Sequence, residues 1–172
     1  HVDWASHSVV WTDSTTRPYD PPIINPDVVH DSAELLRQFS TENNNYSKIT
    51  TIISSPYRRC LQTAAITARK LGVRTIIVDN RLGEAEWARL SCCKAPQASL
   101  LYQPQQTLNY ITHQEAQQLV GDDIKIEWSR DENKTTDTKE RDTGTFEERV
   151  TEMSKVAHEI DGSVLLVTHG DI

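Results

Sequence analysis

Residues 49–72 read ITTIISSPYRRCLQTAAITARKLG, and two signals meet inside them. Ile49 to Ser55 is short, β-branched and mostly apolar, which predicts a strand buried on both faces of a parallel sheet. Directly after it, Ser55 reads as a helix cap and Pro56 as the first helical position, with Leu61, Ala64, Ala65, Ala68 and Leu71 on one face. Arg69 and Lys70 in the last turn, and Gly72 just beyond, predict where that helix stops. A buried strand running straight into an amphipathic helix is the repeating unit of an α/β fold.

The flanking sequence extends the pattern. Upstream, Pro26 starts a helix with Asn25 as its cap, and Val28, Val29, Leu35, Leu36 and Phe39 fall at helical spacing as its inward face. The polar run STENNNYSK ends it. Downstream, RTIIV is a second strand, and the mixed composition from Asp79 to Gln106 predicts a long irregular excursion of the functional kind. Thr112 to Leu119 reads as a short helix, and SRDENKTTDTKERDTG as a solvated charged stretch. Thr145 to Glu148 has the spacing of a capping box, and Phe146, Val150, Met153, Ala157 and Ile160 form an apolar stripe along the helix that follows. Gly162 ends that helix, and SVLLVT is the last strand. Alternating helices and buried strands imply right-handed crossovers and a three-layer α/β sandwich with a mostly parallel central sheet flanked by helices.

Composition narrows the function classes. The 172 residues carry a formal net charge of −7, which argues against a general nucleic-acid binder, since such partners reward clustered Lys and Arg. Apolar runs such as TIIV and VLLV fall far short of the ~20 residues a membrane span needs. No basic segment followed by an apolar run opens the chain at His1, so no signal peptide is visible. Cys60, Cys92 and Cys93 fit neither a disulfide framework nor zinc-ligand spacing, which favours a reducing, cytoplasmic compartment and no metal site. The sequons at Asn45 and Asn133 carry little weight in a chain this rich in Asn, Ser and Thr.

In open α/β sheets, ligands bind beyond the carboxyl ends of the strands. After the first strand, Arg58 and Arg59 stand in the first turn of a helix, beside unpaired N–H groups and the positive end of its dipole. After the last strand, His169 leaves the sheet and Gly170 lets backbone approach a ligand closely. Each residue alone fits a solvated charge or a structural histidine equally well. Together, bidentate arginine donors and a nearby imidazole point to phosphoryl chemistry.

SSPYRRCLQTA resembles the S-S-P-x-x-R-x-x-Q-T-A segment of the histidine phosphatase superfamily, the branch that includes phosphoglycerate mutases. LLVTHGD is similar to its second-histidine motif, DNRLGE (Asp79 to Glu84) to its acidic R-L-x-E segment, and GTFEERV to its usual helix before that histidine. VDW and RPYDPPI resemble the stretch that follows the nucleophile loop. The resemblance implies a phosphoglycerate mutase-like fold and a single domain over residues 1–172. It also implies a phosphomonoester hydrolase that works through a phosphohistidine, with neither metal nor cofactor, on a phosphorylated small molecule or phosphoprotein. In these terms His169 is the second histidine and Arg59 a phosphate-binding arginine, with Arg58 and Gly170 beside the phosphate. Glu84 is the acid that protonates the leaving oxygen, and Glu86 competes for that role.

The family's nucleophile lies in an R-H-G motif on its first strand, and no R-H-G occurs in these residues. Aligning V-D of R-H-G-x-R-V-D with Val2-Asp3 gives His1 the position of a phosphate-binding arginine and sets the nucleophile ahead of it. The other alignment makes His1 the nucleophile, with Val2 at the glycine position. Family domains also continue past the second histidine, so the expectation is a domain short of its first strand and its C-terminal end. The alternatives are an inactive relative that binds a phosphorylated ligand or protein partner, and a mutase-like phosphotransferase.

Overall fold

In the computed structural model, the described residues are 20, 22–23, 25–42, 48–83, 111–129 and 146–169. They form helices α1 (Pro26–Glu42), α2 (Arg58–Leu71), α3 (His113–Val120) and α4 (Phe146–Glu159). The strands are β1 (Ile49–Ser54), β2 (Thr75–Val78), β3 (Lys125–Trp128) and β4 (Ser163–Val167). All strand pairs are parallel and the sheet order is β3-β2-β1-β4.

Alternation along the strands divides the core into two. Ile52, Ile76, Val78 and Val167 pack with Leu61, Ala64 and Ala68 of α2 and with Ala116 and Val120 of α3. Ile53, with Ile77 and Val164 partly covered, packs with Met153 of α4 and with Leu82. The sheet is therefore the middle of three layers, and the expected α/β sandwich is what forms. Strands β1 to β3 are laid down in one direction, and α4 carries the chain across the other face to place β4 beside β1. Strand order thus reverses at the β1/β4 junction, where open α/β sheets leave a crevice at their carboxyl ends.

Local expectations hold unevenly. Asn25 Oδ1 accepts from Asp27 N at 3.1 Å, as a cap does. Leu61, Ala64, Ala65, Ala68 and Leu71 are buried, and Gly72, at φ 73°, closes α2 onto the Ala68 carbonyl. The α1 face needs correction: Val28, Leu35 and Phe39 are exposed, while Ala33 is buried and Leu36 half-buried. Helix α1 lies against α2 rather than on the sheet, so a narrow stripe centred on a small residue makes the contact, and not the broad apolar face. On α4, Met153 is buried but Val150 points outward, and Arg149 takes an inward position that the apolar stripe did not include. The side chain of Phe146 and the capping Thr145 lie outside the described residues. The α2 start also shifts, to Arg58, with Tyr57 as a cap that makes no side-chain hydrogen bond.

Strand β3 was not expected. It is an edge strand in which Ile126 and Trp128 turn inward while Lys125 and Glu127 stay exposed. Helix α3, by contrast, begins on a full capping box between Thr112 and Glu115.

Gly162, at φ 99°, turns α4 into β4, and a Cβ there would sit 2.5 Å from Thr50 Oγ1. Gly162→Ala is expected to cost roughly 1–3 kcal/mol, from the left-handed backbone and the clash together. Urea unfolding of Gly162→Ala beside Gly162→Ala/Thr50→Ala tests the origin. The double variant should recover the steric part, and equal losses in both would attribute the whole cost to the backbone.

Candidate active site

The carboxyl ends of β1 and β4 are joined by a hydrogen bond from Ser55 N to the Val167 carbonyl, 2.9 Å. That bond brings the residues just past the two strands into contact. His169 is 9% exposed, and both ring nitrogens are engaged. Arg59 Nη2 lies 2.7 Å from Nδ1, and Ser55 Oγ lies 3.0 Å from Nε2, with Cys60 Sγ at 3.7 Å from the same nitrogen. Tyr57 meets the imidazole edge-on at 4.7 Å between ring centroids, and the Arg59 guanidinium stacks over the Tyr57 ring, also at 4.7 Å.

These contacts assign the tautomer. A guanidinium has donors only, so Nδ1 must present its lone pair to Arg59, the ring proton sits on Nε2, and Ser55 Oγ accepts it. The electrostatics agree. Burial, with the positive charges of Arg59 and Arg149, pushes the His169 pKa from 6.5 down to about 3, so the imidazole is neutral at pH 7.

Between pH 6.5 and about 3 the unfolded chain binds a proton at this position that the folded chain does not. Stability is therefore highest above 6.5 and falls as pH drops through that window, by up to roughly 1.4 kcal/mol per unit. Urea midpoints at pH 7 and pH 5 should converge in His169→Asn relative to the native protein. An unchanged pH slope in the variant would assign the acid sensitivity to other groups.

Asp20 completes the arrangement. Its buried carboxylate accepts from Arg58 N at 2.7 Å and lies 3.9 Å from Arg59 Nη1. The amino end of α2 is therefore satisfied by a residue distant in sequence, in the place where Ser55 was expected to cap it. Ser55 is fully buried, and its Oγ meets His169 Nε2 at 3.0 Å and the Tyr57 N–H at 3.5 Å. Of the two arginines, Arg59 reaches His169 with its side chain, and Arg58 enters through its backbone N–H to Asp20. Glu84, Glu86, His1 and Gly170 lie outside the described residues. No cluster of three or more His, Cys, Asp or Glu able to hold a metal occurs among the described residues. No helix among them is long and apolar enough to cross a membrane.

Sequence reasoning did not single out Ser55, Tyr57, Cys60, Asp20 or Arg149 as neighbours of His169. Ser55, Tyr57 and Cys60 were legible in principle, since they occupy the turn between β1 and α2 that ends at the crevice. Asp20 and Arg149 carried no local signal.

Fold and site together define a three-layer α/β protein with an arginine–histidine pair at the switch point of a parallel sheet. The sequence model of the histidine phosphatase superfamily (branch 1) matches residues 30–104, which include Arg59, Glu84 and Glu86. Among solved structures, the ecdysone phosphate phosphatase EPPase from Bombix mori, in complex with tungstate, is similar in fold with a TM-score of 0.52 and 16% identity. That similarity covers 87% of this chain and 52% of the neighbour, so the chain spans about half of the neighbour's length. No curated protein matches at a significant level. The family's sequence pattern thus covers SSPYRRCLQTA and DNRLGE of the motifs that carry the resemblance, and the likeness to EPPase bears out the expected fold.

Proposed function

We propose that this chain is one histidine phosphatase-like domain that hydrolyses phosphomonoesters through a phosphohistidine, without metal. The observation that carries the reading is the 2.7 Å contact between Arg59 and His169, made across the sheet's switch point by residues far apart in the chain. Arg59 offers a planar fork of donors suited to phosphoryl oxygens, and the N-terminal turn of α2 adds positive potential.

A phosphoryl dianion entering the crevice draws the Arg59 donors from Nδ1 to its own oxygens. The vacated lone pair and the added negative charge then favour protonation of His169, which turns from acceptor into donor toward the transferring group. A nucleophilic imidazole forms a P–N bond as the P–O bond to the leaving group breaks, and Glu84 or Glu86 supplies the proton that the leaving oxygen needs. Water then attacks phosphorus, the P–N bond breaks, and inorganic phosphate leaves. The substrate is a phosphorylated small molecule or a phosphoprotein, and the cysteine usage favours the cytoplasm.

Phosphate release from an aryl phosphate, in the presence of EDTA, tests the hydrolase reading. Phosphate binding without turnover would instead favour a binding module, and return of the phosphoryl group to a second substrate a mutase. The acid is assigned by Glu84→Gln, which should slow an alkyl phosphate roughly 10²-fold or more and an aryl phosphate far less. Equal slowing of both, or the selective effect in Glu86→Gln, would move the role away from Glu84.

A further inference from the structure

Arg149 is 6% exposed, yet its observed hydrogen bonds go to backbone. Nη1 donates to the Gly83 carbonyl at 2.7 Å and to the Arg81 carbonyl at 3.3 Å. The carbonyl between them, that of Leu82, accepts from Thr168 Oγ1 at 3.0 Å. Three consecutive carbonyls are thus gripped alternately by α4 and by the residue next to His169. The Arg81 side chain is fixed as well, paired to Asp79 at 2.6 Å and to Glu152 of α4 at 3.2 Å.

This grip is not what stability alone would select. A buried guanidinium hydrogen-bonded to carbonyls keeps its full charge in a poorly polarisable interior, and an apolar side chain of similar volume commonly stabilises as well or better. Its Nε has no partner among the described residues. What the arrangement does provide is a fixed distance between two pieces of chain. The segment 81–83 cannot slide along β4 without breaking hydrogen bonds on both sides, and buried carbonyls left unpaired are costly.

We infer that Arg149 and Thr168 are positioning residues that lock the Arg81–Gly83 backbone onto the strand end bearing His169, and so set where the acid-bearing chain leaves Gly83. The inference rests on the phosphatase reading for the acid, but its geometric part stands on the described residues alone. Arg149 donates to the Arg81 and Gly83 carbonyls and its charge also bears on His169. The positioning effect is therefore read in the alkyl-to-aryl ratio, and Thr168→Val, which leaves that charge in place, separates the two.

The test combines amide hydrogen exchange at Leu82 and Gly83 with kcat/KM for an aryl and an alkyl phosphate, in Arg149→Met, Arg149→Lys and Thr168→Val. Thr168→Val keeps shape and volume, so it remains informative if Arg149→Met folds poorly. Exchange at Leu82 and Gly83 should rise about tenfold in Arg149→Met and Thr168→Val, with the β1 amides unaffected. Alkyl phosphate turnover should fall about tenfold further than aryl turnover, and Arg149→Lys should recover part of that ratio. An active native protein whose variants keep both the exchange rates and the alkyl-to-aryl ratio would overturn the inference. So would equal losses on both substrates that track a lowered Tm. A native protein that hydrolyses neither substrate removes the phosphatase reading, and acid positioning with it, a result distinct from an unchanged ratio.

Discussion

His169→Ala is expected to lower kcat/KM for an aryl phosphate roughly 10²–10³-fold, the effect of losing a preorganised donor to the transferring group. The imidazole is held on three sides, by Arg59 on Nδ1, Ser55 on Nε2 and the edge of Tyr57. It therefore has no rotameric freedom to lose on binding substrate, and its contribution should appear mainly in kcat. Truncation also leaves a buried Ser55 hydroxyl without its partner, so melting must be measured alongside. His169→Asn, which keeps one amide donor, should retain more activity than alanine. Turnover preserved in His169→Ala, in a folded protein, would remove His169 from the site.

Arg59→Ala should weaken binding of vanadate or phosphate by roughly 10–100-fold, since a hydrogen bond to a charged group contributes about 1.5–3 kcal/mol and each 1.4 kcal/mol is tenfold. Arg59→Lys should recover only part, because a single ammonium cannot reproduce the bidentate fork or stack on Tyr57. The same variants make a second, independent prediction. Arg59 is one of the charges that hold the His169 pKa down, after burial itself. In Arg59→Ala the imidazole should therefore titrate at higher pH, readable from its ring proton shifts. Unchanged anion affinity together with an unchanged His169 titration would make Arg59 a surface charge that merely lies nearby.

The parts of the fold that were legible in the sequence are those in which one local signal suffices. The β1 run is apolar on both faces because the sheet is covered on both sides, and the α2 stripe of Leu61, Ala64, Ala65 and Ala68 faces it directly. His169 and Arg59 were legible because strand ends announce the crevice whatever lies between them. What escaped needed information from distant chain. Ser55 beside a proline is a good local cap, but Asp20 accepts from the Arg58 N–H that opens α2, while Ser55 meets His169 and the Tyr57 N–H. The outward faces of Val28 and Leu35 depend on α1 packing against another helix, which the spacing of apolar residues does not encode. Arg149 stands one position from Val150 in a helix whose apolar stripe does not include it, and it is buried where it donates to the carbonyls of Arg81 and Gly83. The edge strand β3 was hidden by its exposed Lys125 and Glu127.

The most direct test of the phosphoryl-transfer account is a rapid alkaline quench after mixing the protein with a phosphomonoester labelled at phosphorus, with EDTA present. The account predicts transient protein-bound label that survives alkali and is released by mild acid, as a phosphoramidate is, with less label or slower labelling in Arg59→Ala. Turnover with no trapped label, or label stable to acid, would contradict it.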